Sequence, residues 1–277
     1  MQKPTLAVVM CVYQGDNDKH FFEALNSLKN NQKFINEIII SVNGPISSYK
    51  KNIIKTLKKE LNILPIYIPS NLGIAKGLNL AILKSNSEWI IRFDSDDICE
   101  KNRFKFINEK INKYGNKYDV MGTYIQEFIT TKKNLISVRK VPLSNNEIKK
   151  RLLYANPMNH VSVFFKKSIT YKFRDEPFYP LIDGFEDYAL WAKLLKNKFK
   201  FKNFPVSTVF VRVGNNMIAR RGGLKYILKE INLRFYINKF IKPHQIPTNM
   251  IITILRVLAF SLPLRIKKII YRVLRKP

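Results

Sequence analysis

Trp89-Ile90-Ile91-Arg92-Phe93-Asp94-Ser95-Asp96-Asp97 is the stretch on which the fold turns. Its first five residues, with two β-branched and two aromatic side chains, spell a short buried strand. The strand then stops in three carboxylates within four positions. Side chains alternate along a strand, which would set Asp94 and Asp96 on one side where the chain opens into a loop. Two carboxylates so placed repel unless a cation lies between them. Mg²⁺ or Mn²⁺ favours such oxygen ligands, keeps several waters and is completed by substrate phosphates. The stretch therefore predicts a metal–diphosphate site at a strand's carboxyl end, where open α/β sheets bind ligands. The same residues also suit a solvated acidic turn.

Outward from this point, the first hundred residues alternate apolar runs with amphipathic ones. Strands are predicted over 6–13, 37–42, 64–68 and 89–93, and helices over 21–28, about 53–61 and 74–83. This βαβα order implies a mainly parallel sheet covered by helices on both faces. The strand ends carry Tyr13-Gln14-Gly15-Asp16, Asn43-Gly44-Pro45, Pro69-Ser70-Asn71 and the acidic stretch itself. Each is a turn-former in its own right. Their gathering on one edge makes a site. Beyond Arg103 the pattern loosens into a hairpin over 120–129 and 135–138, a strand over 160–165, a helix over 186–199 and a strand over 206–213.

The composition bounds the partners. A chain of 277 residues with 46% hydrophobic content is long and apolar enough for one large or two small folded domains. Its net charge of +29 must face something anionic: nucleic acid, anionic lipid or a phosphorylated substrate. Cys11 and Cys99 give no disulfide framework and suit a reducing compartment. The apolar run over 5–12 is short for a signal peptide, and the run over 250–264 is broken by Arg256 and Pro263. An intracellular protein without a spanning helix is expected, associated peripherally with the inner face of the cytoplasmic membrane.

Two further constellations bear on chemistry. Asn71-Leu72-Gly73-Ile74-Ala75-Lys76-Gly77-Leu78-Asn79 opens a helix, whose N-terminal N–H groups and Lys76 favour an anion. An ordinary capped helix with a solvated lysine fits these residues too. Glu186-Asp187-Tyr188 begins another helix, where acids are stabilised by the macrodipole. The functional alternative is a general base that accepts a proton from an attacking hydroxyl, with the helix terminus keeping Asp187 ionised. His20, His160 and His244 show no metal spacing, and neither Walker nor Gly-x-Gly-x-x-Gly patterns occur.

In this order and spacing, Val9-Met10-Cys11-Val12-Tyr13, Asn43-Gly44, Asn71-Leu72-Gly73, Asp94-Ser95-Asp96-Asp97, Arg103-Phe104, Asn156-Pro157, His160, Glu186-Asp187-Tyr188, Leu190-Trp191, Arg212-Val213-Gly214 and Arg220-Arg221-Gly222-Gly223 resemble a family 2 glycosyltransferase. The similarity spans residues 4–213 and is strongest to the amylovoran, capsular and lipopolysaccharide biosynthesis branch. It implies an α/β fold of the GT-A, Rossmann-like type, with a mostly parallel mixed sheet flanked by helices. Residues 1–215 would form the catalytic domain and 216–277 a basic helical extension. By the same resemblance, Val12, Tyr13 and Asn43 would line the base and ribose pocket of a nucleotide sugar, with Ser95 and Lys76 also on the donor. Asp94 would face ribose or metal, Asp96 would hold Mn²⁺ or Mg²⁺, and Asp187 would be the catalytic base supported by Glu186. Asn43-Gly44-Pro45 departs from the Asp-Asp-Gly-Ser of many relatives. Gly214 stands where some carry a histidine ligand.

The implied activity is an inverting, metal-dependent hexosyltransfer from a nucleotide sugar, UDP foremost, to a glycan or lipid-linked acceptor. The tail supports that setting. Residues 200–277 hold 17 Lys/Arg and one acid, and Ile266, Ile269, Ile270, Val273 and Leu274 recur at helical spacing. A basic amphipathic helix of this kind suits an anionic membrane surface. A nucleic-acid-binding protein would also use the charge, but the excess borders an apolar stripe rather than stacking aromatics, so no nucleic acid partner is expected. A nucleotidyltransferase on a related sheet and a catalytically dead scaffold are the remaining alternatives.

Overall fold

The computed structural model describes residues 3–214, 223–263 and 266. Nine strands form one mixed sheet: β1 (Leu6–Val12), β2 (Glu37–Asn43), β3 (Ile63–Ile68), β4 (Trp89–Arg92), β5 (Ile98–Cys99), β6 (Val120–Phe128), β7 (Leu135–Arg139), β8 (Phe164–Lys166) and β9 (Phe201–Arg212). Their order is β3-β2-β1-β4-β8-β6-β9-β5, with β7 beside β6. The first four run parallel, as the βαβα pattern predicts; β8 enters antiparallel to both β4 and β6. The chain steps from β1 to β3 in one direction and then returns to lay β4 on β1's other flank. That reversal opens a crevice at the carboxyl ends of β1 and β4.

Helices α1 (Asp18–Leu28), α2 (Ser48–Leu57), α3 (Ile74–Lys84), α4 (Arg103–Tyr114), α5 (Asn145–Tyr154) and α6 (Glu186–Lys196) cover the sheet. Alternation along the buried strands feeds two cores. Leu6, Val8, Met10 and Val12 face one, whereas Ala7 and Val9 face the other with Leu78, Leu190 and Trp191. Local chemistry sets the helix starts. Asn17 caps α1 by accepting from His20 N–H, and Ser144 with Glu147 closes a capping box on α5. Gly77 lets α3 lie close on the sheet: a Cβ there would stand 2.8 Å from Ser41 Oγ and 2.9 Å from Cys11 Sγ.

Three expectations need correction. The strand over 160–165 is a 3-10 turn at His160–Ser162 followed by the short β8. The Asn159 amide there donates to the carbonyls of Thr123 and Arg139, and Ser162 N–H closes back on Asn159, so the backbone curls. The helix over 186–199 stops at Lys196, because Lys198 adopts a positive φ of 64°. The strand predicted over 206–213 in turn starts earlier, at Phe201, and runs through Pro205 with register shifts against β6.

Two further helices, α7 (Leu224–Asn238) and α8 (Ile246–Ser261), pack on each other and on α5 and α6. A buried polar network holds them. Arg234 pairs with Glu230 at 2.8 Å and donates to Leu153 carbonyl, and Asn249 of α8 donates to Arg234 carbonyl. The Arg220-Arg221-Gly222 stretch and the amphipathic tail beyond Ile266 lie outside the described residues.

Candidate active site

A cleft of about 280 Å³ sits at the switch point, lined by Cys11, Tyr13, Asp16, Asn43, Asn71, Gly73, Ile74, Asp94, Ser95 and Asp96. Four of the donor-side expectations, Tyr13, Asn43, Asp94 and Ser95, thus meet in one place with Asp96. Val12 does not join them. Its side chain is fully buried in the core, and strand alternation turns Cys11 to the cleft instead. Lys76 points elsewhere, into a groove of about 730 Å³ between α3 and the 167–181 segment that contains none of the cleft acids.

Asn43 works through the neighbouring loop. Its Nδ2 donates to Gly73 carbonyl at 3.0 Å and its Oδ1 accepts from Leu72 N–H at 2.9 Å, so its amide is committed to holding Asn71–Gly73 over the cleft. Gly44, at φ 86°, permits the same approach, since a Cβ there would meet Asn71 N at 3.0 Å. The departure from the acidic pattern common at this position has this local reason: an amide can both donate and accept here, and a carboxylate cannot.

The acids crowd. Asp94 accepts from the buried Arg92 guanidinium. Asp16 accepts from Ser95 Oγ at 2.9 Å and from Tyr13 N–H at 3.1 Å. Asp97 is buried and accepts from Arg212 N–H at 2.9 Å, while Arg212 Nε donates to Asp96 carbonyl. Burial, then the charges of Asp94 and Asp16, push Asp96 up to about 6. Burial also raises Asp97 well above the usual range. Among the described residues no three ligand-type side chains converge on a self-contained metal site. What stands at the edge is an oxygen-only pair, Asp94 and Asp96. That donor set fits a hard divalent ion completed by phosphates and water.

Asp187 and Glu186 form the second acidic group, at the start of α6. Asn156 Nδ2 donates to Asp187 Oδ2 at 2.6 Å and Tyr188 N–H to Oδ1 at 2.7 Å. The helix terminus does not keep Asp187 an ordinary carboxylate, as the sequence suggested. Burial outweighs the bonds from Asn156 and Tyr188 and the charge of Arg139, and raises its pKa. Glu186, with Oε2 lacking a hydrogen-bond partner, is pushed up to about 7 by burial and by Asp187. Asp94 contributes to the raised values of Asp16, Asp96, Asp97, Glu186 and Asp187 alike. Both acidic groups therefore share one field.

Sequence reasoning put Asp16 on the site's edge and Asn156 in a matching motif without giving either a role, and it missed Arg92 and Tyr179. Arg92, a lone cation inside an apolar strand run, carried a signal. Tyr179 carried none: it is placed by two bonds between its backbone and the Asn79 side chain, 3.0 and 2.8 Å, and its hydroxyl meets His160 Nε2 at 2.8 Å. His160 is thereby satisfied, and burial holds it neutral.

The family model for glycosyl transferase family 2 matches residues 7–174. Among curated proteins, the UDP-Gal:alpha-D-GlcNAc-diphosphoundecaprenol beta-1,3-galactosyltransferase of Escherichia coli is 31% identical over 236 residues, covering 84% of this chain and 83% of that protein. The amylovoran biosynthesis glycosyltransferase AmsE of Erwinia amylovora is 26% identical over 272 residues, 98% and 99% of the two chains. Among solved structures, S. aureus TarS 1-349 in complex with UDP-GlcNAc superposes with a TM-score of 0.68 at 16% identity, covering 93% of this chain and 73% of that one. The cleft at the switch point, the acids around it and these likenesses agree: the chain belongs to glycosyl transferase family 2 and has the GT-A fold.

Proposed function

We propose that the protein is an inverting glycosyltransferase that moves a hexosyl group from a UDP-sugar to a hydroxyl of a lipid-linked, capsular or lipopolysaccharide glycan. One observation carries this reading: Asp94, on the acidic edge of the cleft, also raises the pKa values of Glu186 and Asp187 at the start of α6, so both acidic groups lie within reach of one site. The relatives supply the substrate class, since one acts on a diphosphoundecaprenol-linked sugar with UDP-Gal and the TarS structure contains UDP-GlcNAc.

In this mechanism Tyr13 and the loop held by Asn43 bind the nucleoside, and Asp94 and Asp96 would hold Mn²⁺ or Mg²⁺. Such an ion, when bound, neutralises charge developing on the leaving diphosphate. Asp187, oriented by Asn156, takes the proton of the acceptor hydroxyl as its oxygen attacks the anomeric carbon. The bond from that carbon to the diphosphate oxygen breaks with its electron pair on UDP, so the configuration inverts in one displacement. A pKa raised by burial suits a base working near neutrality. Glu186 adds negative potential that keeps the shared proton close.

The deciding experiment is a panel of nucleoside diphosphates and UDP-sugars, read by thermal shift with and without Mn²⁺, followed by NMR of the product's anomeric configuration. A Mn²⁺-dependent rise with UDP-sugars and an inverted product are expected. No metal-dependent shift, or a retained configuration, would sink the reading. Release of pyrophosphate in place of UDP would favour a nucleotidyltransferase.

A further inference from the structure

Helix α8 is built inside out for water. Its only buried residue is Asn249, which donates to Arg234 carbonyl and to Asn238 Oδ1. Arg256 also turns inward, to Glu230 and to Tyr154 carbonyl. The opposite side carries Met250, Ile251, Ile254, Leu255 and Leu258, each 59–60% exposed and spaced to form a single stripe. Leu224 and Leu228 of α7, 73% and 56% exposed, add to the apolar surface of the hairpin. A contiguous exposed stripe of this kind marks contact with an apolar medium or partner.

Charge selects the medium. From residue 224 to 277 the sequence holds 12 Lys/Arg against one acid, Glu230. That one acid is fully buried and paired, so no carboxylate side chain among the described residues of this region faces outward. A strongly cationic segment whose described part bears an apolar stripe and no exposed acid matches the surface of an anionic bilayer, with acyl chains under the stripe and lipid phosphates answering the charge of the segment. No helix of the described residues is long and apolar enough to cross a membrane, which leaves α8, at 16 residues, to lie along the interface.

The hairpin also touches the catalytic edge. Lys229 pairs with Asp183 at 2.6 Å. The Tyr226 ring packs between Phe185, at 5.4 Å, and Phe260 of α8, at 4.9 Å. Asp183 and Phe185 immediately precede Glu186 and Asp187.

We propose that α8 docks in the interface of an anionic phospholipid bilayer through its Met250–Leu258 stripe, and that this seats the Asp187 edge against acceptors carried in that bilayer. The docking stands on the stripe and the charge alone; only the delivery of acceptor rests on the glycosyltransferase reading.

The test uses the full chain with phosphatidylcholine vesicles, with or without phosphatidylglycerol, at physiological salt. Wild type should co-sediment with the anionic vesicles, and Ile254→Glu with Leu258→Glu should weaken that partition by at least about 10-fold. Because both side chains are exposed, the melting temperature and the Mn²⁺-dependent shift with UDP-sugar should not change. Three results would overturn docking: no binding by wild type, undiminished binding by the variant, or a fall in its melting temperature showing that the chain itself covers the stripe. Concentration-dependent dimers broken by the variant, without vesicle binding, would assign the stripe to a second copy instead. Vesicle binding without any UDP-sugar shift would retain the docking and reject only the transferase reading.

Discussion

Asn156 Nδ2 and Asp187 Oδ2 lie 2.6 Å apart, joining the loop after α5 to the first turn of α6. The bond favours the ionised carboxylate, against burial, which favours the protonated one. Asn156→Ala removes that support, so the proton is held more tightly and the base form appears only at higher pH. The acid limb of the kcat/KM profile is expected to move upward, with a larger loss at pH 6 than at pH 8.5. Asp187→Asn should remove about 10²–10⁴ of kcat at every pH while leaving donor binding intact.

In wild type the acid limb itself should sit well above the ordinary carboxylate range. Glu186 is raised to about 7 and interacts strongly with Asp187. The pair therefore binds one proton near neutrality, and activity rises as pH increases through that region. Initial rates from pH 5 to 9 check this; a limb near pH 4 would contradict it.

Asp96→Ala removes one of the two oxygen donors expected to bind the ion. Manganese should then no longer increase the thermal shift given by UDP. Chelation of wild type by EDTA should reproduce the loss, and added Mn²⁺ should reverse it in wild type only.

Asn43→Ala frees the Asn71–Gly73 loop and leaves Leu72 N–H without its acceptor. An unmet bond of this type costs about 1–3 kcal/mol. The effect should appear as a higher donor KM with kcat little changed, measured by steady-state kinetics.

Glu230→Gln leaves Arg234 buried without its counter-charge, a loss of about 3–5 kcal/mol. Urea unfolding followed by circular dichroism should show the fall in midpoint. The double change Glu230→Leu with Arg234→Met should recover part of it, since a matched apolar pair needs no solvation.

The parallel half of the fold was legible because β1 to β4 are short, β-branched runs separated by amphipathic helices, and their ends name the crevice. The antiparallel half was less so. β8 has three residues, and its preceding turn is set by Asn159 and Ser162 side-chain bonds that no periodicity reveals. At the site, the acids at 94, 96 and 187 were readable as types at strand and helix ends. Which of Cys11 and Val12 faces the cleft was not, because parity along β1 depends on which core each side chain enters. Nor was the raised pKa of Asp187, which comes from burial beneath residues distant in the chain.

Arg92 is buried beneath the cleft and donates to Asp94. The protein thus carries an internal counter-ion for its most influential carboxylate, supplied by the same strand two residues earlier. Assembly of the sheet need not await any bound ion, and the apoprotein should reach its native shape in metal-free buffer, ready to be charged afterwards.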